Sequence, residues 1–369
     1  SEGDYVMTRP LRGPLNNSAV DHSTDAYDTI DWLVKNIKDT NGKVGMIGSS
    51  YEGFTVLMAL VHPHPALKAA VPICPMVDGW RGDDWFHNGA FRNVNLDYFT
   101  GQTSEKGEGK PVARPGYDDY TTFLRAGSTG DYARAGGLEQ LPWWKEVSEH
   151  PAYDAFWQGQ ALDNRLAKEP LTVPTLLVAS EWDQEDKYGW SAVYDAMEPK
   201  DKANNRFSLL LGPWPHSGAN YNISSFGPLE FEGDTAHQAR RDVIKPFLDE
   251  QLKDRAPRSN IAPVTVFETG TMVWRHQKTW HVPAKTRALY LEDGGHAGWD
   301  APRTAGFDDY VSDPAKPVPY VPRPVRFSEH DTWRKWLVMD QRGFSDRTDV
   351  ISFVTEPLTE PVHVQGQAQ

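Results

Sequence analysis

The sequence predicts an α/β architecture in which a parallel sheet is covered on both faces. Two observations carry this. Apolar runs of strand length alternate with segments whose apolar residues recur at helical spacing, and the runs are continuous, as strands buried on both faces require. A first helix is expected over 18–39, where Ala26, Ile30, Leu33, Val34 and Ile37 share a face. Asn41-Gly42 turns the chain, 43–48 reads as a short buried strand, 54–61 as the helix after it, and 68–73 as the next strand.

Residues 76–170 loosen the pattern. Trp, Tyr, Gly and Asp are abundant, 101–110 is polar, and the stretch reads as a helical cap inserted over an active site. A buried strand returns at 173–180, a helix at 190–197, a strand at 206–212 and a closing helix at 243–252. Beyond about 260, strand candidates at 264–267, 288–291 and 350–354, separated by Pro and Gly, point to a C-terminal β-sandwich of jelly-roll type. The expected organisation is thus α/β at 1–75, cap at 76–170, α/β again at 171–258 and jelly roll at 259–369.

Composition narrows the function. A length of 369 residues calls for two or three cores, and 14 Trp, 14 Tyr and 15 Phe supply the material. A net charge of −13 with no Lys/Arg cluster argues against a nucleic-acid partner, and no apolar run approaches the roughly 20 residues of a spanning helix, so no membrane partner is expected. The single cysteine, Cys74, excludes an intramolecular disulfide and a multi-cysteine metal site, and its apolar surroundings read as core. No HExxH or other ligand spacing is present, so neither metal nor cofactor is expected. The first residues form no signal peptide, there is no initiator methionine, and 362–364 resembles a strand without a partner; further sequence at both ends is expected.

The chemistry starts at Gly48-Ser49-Ser50-Tyr51-Glu52-Gly53, between a buried strand and a helix. A serine on a sharp strand-to-helix turn lifts its hydroxyl above the sheet edge, and the helix N-terminus behind it favours developing negative charge. The match to G-x-S-x-G is imperfect, because Glu52 holds the last position and the glycine follows one residue later. Ser50 is the expected nucleophile; its rival Ser49 would place Ile47 where a small residue is wanted. The backbone N–H of Tyr51 is then one oxyanion donor.

An acid and a base should follow in that order, each after a sheet strand. Glu181-Trp182-Asp183-Gln184-Glu185-Asp186 follows the strand at 173–180, and Gly212-Pro213-Trp214-Pro215-His216 follows the strand at 206–212. His216 is the expected general base, with Asp183 holding its tautomer and Glu181 as competitor. His22, His87 and His150 have no strand-end context. Trp85, Trp182 and Trp214 would either line an aromatic acyl pocket or pack in the core.

Together with Asp340-Gln341-Arg342, these motifs resemble the peptidase S15-like group of α/β-hydrolases, which includes X-Pro dipeptidyl peptidases, cocaine esterase and glutaryl acylases; within it, the α-amino acid ester hydrolases are the best likeness. The resemblance implies an α/β-hydrolase fold with inserted helical cap and C-terminal jelly roll. It implies Ser50, Asp183 and His216 as the catalytic set, and Asp84, Glu185 and Asp186 as a carboxylate cluster for a substrate α-ammonium group. It also implies a second oxyanion donor, a tyrosine upstream of residue 1, and export to the periplasm or beyond. Expected partners are α-amino acid esters or amides, β-lactam nuclei as acyl acceptors, and further copies of the chain in a homo-oligomer. Alternatives are an X-Pro dipeptidyl peptidase or carboxylesterase of the same fold and, in another class, a noncatalytic carbohydrate-binding protein.

Overall fold

The computed structural model describes residues 21–82, 85–103, 112–281, 287–313, 315–319, 321–326, 329 and 334–362. Helix α1, His22–Asn36, begins where the Asp21 carboxylate accepts the Ser23 and Thr24 backbone N–H groups, and it ends before Ile37 turns extended. Strand β1, Val44–Ser49, leads into helix α2, Tyr51–Ala59, which returns to strand β2, Leu67–Ile73. After the cap come strand β3, Thr175–Trp182, helix α3, Lys187–Met197, and strand β4, Phe207–Pro215. Helical segments at Thr235–Ala239, Arg240–Ile244 and Lys245–Leu252 carry the chain to strands β5, Val264–Glu268, and β6, Val273–Gln277.

These six strands form one sheet in the order β1-β2-β3-β4-β5-β6, parallel from β1 to β5 and antiparallel at β6. Each parallel step needs a crossover, supplied by α2, the cap, α3 and the 235–252 helices in turn. The period of two along the strands sorts their side chains. Leu177, Ala179, Leu209 and Leu211 pack with α2 residues Val56 and Leu57, whereas Leu176, Val178 and Leu210 pack with Ala236, Val243 and Phe247. All of these are buried, which explains the apolar runs 69–73, 176–179 and 209–211 within β2, β3 and β4.

The cap is helical as expected, with short helices between Asn95 and Leu166. Its core is aromatic: Trp143 packs on Trp85 with ring centroids 5.4 Å apart, and Trp157 meets Phe86 and Phe156 edge-on. A half-buried Arg114 ties the cap together, donating from Nε to Asp119 at 2.7 Å and bonding Asp97 and Tyr132 through its remaining nitrogens. No helix among the described residues is long and apolar enough to cross a membrane.

The segment after the last helix differs from expectation. Residues 264–267, expected to open a C-terminal sandwich, pair with β4 instead, Leu209 opposite Val264 and Leu211 opposite Val266. The α/β sheet therefore runs to Gln277, past the expected boundary at 258. An apolar run four residues long fits the edge of an existing sheet as well as the start of a new one, and its spacing does not distinguish them. Further on, Tyr290–Glu292 pairs with His296–Gly298 in a hairpin, and the expected strand at 350–354 contributes a single bridge, Val354 to His296. Among the described residues this C-terminal segment shows no jelly roll. Leu291 and Val354 lie exposed rather than facing a second sheet.

Candidate active site

Consecutive strands deliver the site residues. Ser50 follows β1, Cys74 follows β2, Asp183 follows β3 and His216 follows β4, all at the C-terminal edge of the parallel sheet. Ser50 is the N-cap of α2 and sits at φ 62°, ψ −122°, a region that a side chain rarely occupies. Its N–H donates to the Ile73 carbonyl at 2.9 Å, and its own carbonyl accepts from Phe54 at 3.0 Å, so the backbone is held on both sides of the hydroxyl.

The glycines explain the irregular motif. A Cβ on Gly48 would stand 2.5 Å from the Glu52 carbonyl oxygen, and one on Gly53 would stand 2.7 Å from the Ile73 carbonyl oxygen. The close approach to β2 falls on residue 53, one position later than in G-x-S-x-G. That shift leaves room for a glutamate at 52.

His216 presents Nδ1 to Asp183, 2.9 Å from one carboxylate oxygen and 3.0 Å from the other. Asp183 is buried and also accepts the backbone N–H groups of Glu185 and Asp186, at 2.8 and 2.9 Å. Burial opposes its ionisation, but the imidazole and these N–H donors outweigh burial and hold the carboxyl below its usual range. The expected competitor Glu181 is not in this arrangement; burial drives its pKa up to about 8, with Lys187 only partly offsetting this. A carboxyl that stays protonated until about pH 8 when folded and ionises near 4.5 when unfolded makes the native state lose stability as pH rises between those values. Glu181→Gln is therefore expected to raise the unfolding midpoint at pH 8 while changing little at pH 4.5, as thermal melts at the two pH values would show.

The serine loop and the histidine loop are joined directly. Ser49 Oγ donates to Ser217 Oγ at 2.6 Å, linking the neighbours of Ser50 and His216. Ser49 is thus a tie between the loops, with its hydroxyl already engaged, and Ser50 is left as the serine on the strained turn. Ser49→Ala should lower kcat about tenfold with KM little changed, because about one hydrogen bond of loop registration is lost; steady-state kinetics with the full chain would check this.

Two further side chains border the site. Cys74, read as core, is buried at φ 42° with Sγ 3.2 Å from Ser180 Oγ, and its sulfur, an Asp183 oxygen and a His216 nitrogen lie within 4.8 Å of one another. Burial raises its thiol pKa well above the ordinary value, so it stays protonated beside Asp183 and makes a poor metal ligand. His87, dismissed for lack of strand-end context, sits in the short hairpin Phe86–His87/Ala90–Phe91 and bonds to the Glu185 backbone. Its side chain is exposed at the hairpin, and partial desolvation with the nearby Arg92 charge lowers its pKa.

Of the expected carboxylate cluster, Glu185 brings Oε2 to 3.5 Å from His216 Nε2, and Asp186 is fully enclosed with Oδ2 3.7 Å from Nδ1. Asp84 lies outside the described residues. Of the three tryptophans, Trp85 and Trp214 are buried in the cores, Trp214 donating to Thr235 Oγ1 at 2.9 Å; Trp182 is half-buried against Phe226. The Asp340–Arg342 motif is an exposed local ion pair at 2.5 Å.

This geometry can be set beside known proteins. The profile described as X-Pro dipeptidyl-peptidase (S15 family) matches residues 1–218, more than half the chain. The chain belongs to the S15 family. Among solved structures, this S15 member is 59% identical to an α-amino acid ester hydrolase, at a TM-score of 0.94 over 99% of this chain and 61% of that one. It is 49% identical to an aminopeptidase from a marine sediment Thaumarchaeota archaeon, at a TM-score of 0.92 over 96% of this chain and 59% of that one. It is 30% identical to cocaine esterase from Rhodococcus sp. strain MB1 Bresler, over 99% of this chain and 66% of that protein. The S15 chain thus spans about three-fifths to two-thirds of the length of these relatives, and its sheet with covering helices fits the α/β-hydrolase fold.

Proposed function

We propose that the protein is a serine hydrolase and acyltransferase acting on α-amino acid esters and on α-amino acyl amides, β-lactam side chains included. The observation that carries this is Ser50 on a strained strand-to-helix turn, tied through Ser49–Ser217 to the loop where His216 Nδ1 faces Asp183. Ser50 Oγ attacks the substrate carbonyl while His216 Nε2 takes its proton. The Tyr51 N–H at the start of α2 stabilises the oxyanion, an interaction worth about 3 kcal/mol in such sites. As the acyl C–O or C–N bond breaks, His216 returns the proton to the departing alcohol or amine. Water, or an amine acceptor, then attacks the acyl-enzyme with His216 again as base, which restores the Ser50 hydroxyl. Asp183 keeps the imidazole in the tautomer with Nε2 free to accept.

Preference for an α-ammonium group is assigned to Glu185 and Asp186 together with Asp84. The 59% identity to an α-amino acid ester hydrolase supports it, as does the concentration of carboxylates about one imidazole. The test is kcat/KM for phenylglycine methyl ester against phenylacetic methyl ester with the full polypeptide. A preference for the amino ester of about tenfold or more, lost in Glu185→Gln, is expected. Equal rates on the two esters would leave an esterase without ammonium recognition. We also propose that residues from 287 onward begin a jelly roll whose second sheet covers the exposed Leu291 and Val354.

A further inference from the structure

Two polar side chains buried beneath the site take no part in the steps above. Cys74 follows β2, and Ser180 lies in β3 just after its apolar run, wholly enclosed, with its Oγ 3.2 Å from Cys74 Sγ. We propose that this pair positions the Asp183 carboxylate and sets how much of its charge His216 feels. The role rests on the functional reading above only in taking Asp183 and His216 as the working pair.

Backbone geometry is the first argument. Cys74 sits at φ 42°, in the left-handed region that favours glycine, and its N–H donates to the Val178 carbonyl at 2.8 Å. The next residue is pinched between two helices: a Cβ on Gly53 of α2 would stand 3.1 Å from Pro75 Cα, and one on Gly189 of α3 would stand 2.3 Å from the Pro75 carbonyl oxygen. A strained turn clamped from both sides fixes where the Cys74 side chain points.

Hydrogen bonding is the second. The sulfur lies within 4.8 Å of an Asp183 oxygen and a His216 nitrogen, and it bonds the Asp183 carboxylate and the Ser217 backbone. Burial and the Asp183 charge keep the thiol protonated. An ionised carboxylate only accepts and a backbone N–H only donates, so the S–H goes to Asp183, while the Ser217 N–H and the Ser180 hydroxyl donate to the sulfur. Ser217 is also the residue tied to Ser49, so the thiol connects the loops that carry all three catalytic groups. A buried hydroxyl is costly without a partner, and Cys74 is the partner that Ser180 has. Each donor to the carboxylate spreads the charge that the imidazole faces, and two backbone N–H groups already load Oδ1. A thiol is a weak donor, so it holds the carboxylate while leaving most of its charge to stabilise the imidazolium.

The pH dependence of kcat/KM for phenylglycine methyl ester, measured with the full chain, tests this. Its acid limb reports His216 in the free enzyme. The charged groups facing that ring are Asp183, Glu185 at 3.5 Å and Asp186 at 3.7 Å, and His87 feels the Asp183 charge; all stay in place in every variant. Cys74→Ala removes the donor, so the limb should move up by about half a pH unit and kcat should fall about fivefold with KM little changed. Cys74→Ser supplies a stronger donor, so the limb should move down by about as much, with kcat mostly restored. Ser180→Ala, which leaves the S–H less polarised, should give a smaller upward shift. Alanine and serine both carry the Cβ that loads the φ 42° backbone, so strain does not separate them. A limb unmoved in both Cys74 variants, or displaced the same way in both, would overturn the proposal. A measurement free of turnover separates it from the functional reading: the low-field proton resonance of His216 Nδ1–H, identified by its loss in His216→Gln, followed against pH. Midpoints displaced in opposite senses by Cys74→Ala and Cys74→Ser would uphold the proposal even without ester turnover, whereas equal midpoints would overturn it even if the esterase reaction is found.

Discussion

Ser50→Ala is expected to lower kcat by a factor on the order of 10⁶ and to abolish labelling by a fluorophosphonate, with the fold intact. The fold should survive because the Ser50 hydroxyl makes no capping hydrogen bond to α2, so its removal leaves the helix start as it was. Ser49→Ala, which breaks the tie to Ser217, should still be labelled. Loss of labelling in Ser49→Ala with retention in Ser50→Ala would reverse the assignment. The strained backbone adds a second readout. Glycine tolerates φ 62° far better than alanine, so Ser50→Gly, equally inactive, should be about 1 kcal/mol more stable than Ser50→Ala in denaturant unfolding. A stability gain on replacing Ser50 by glycine would mark the turn as a conformation retained at a cost in stability.

Asp183→Asn should be nearly as severe, lowering kcat about 10⁴-fold while leaving substrate affinity much less affected. An amide at 183 can donate to Nδ1 where the carboxylate accepts, which favours the tautomer with the proton on Nε2, where no proton can be taken from Ser50. Because Asp183 also accepts two backbone N–H groups, the substitution should cost stability as well. The pH dependence has a definite sign. The folded carboxyl is held below its unfolded value, so its stabilisation is present above the unfolded pKa and is lost as pH falls through the lower, folded one. Acid unfolding curves of the wild type should show this contribution disappearing only below the ordinary carboxylate range, and those of Asp183→Asn should lack it. An asparagine variant with near-normal kcat would show that some other group orients His216.

Sequence alone was sufficient to place the candidate site residues at strand ends. Asp183 and His216 each follow a strand whose apolar run is buried on both faces, which makes it legible, whereas the strand before Ser50, expected to be buried, leaves Ile47 exposed and is marked instead by the Gly and Ser residues of its turn. The order of residue types along the chain then matched a recurrent chemistry, and the helical cap announced itself by a change of composition. The sequence was silent wherever the outcome turned on contacts between distant segments. Whether 264–267 extends the existing sheet or opens a new one depends on the free edge of β4, which no local pattern encodes. The late glycine of the serine turn makes sense only when Gly53 is seen against Ile73. His87 and Cys74 had nothing in their neighbours to mark them, because the groups they meet, Glu185 and Ser180, come from another strand end about a hundred residues away. Local pattern reports burial and backbone shape; convergence of side chains across strand ends is a property of the packed sheet, and only the tertiary structure decided it.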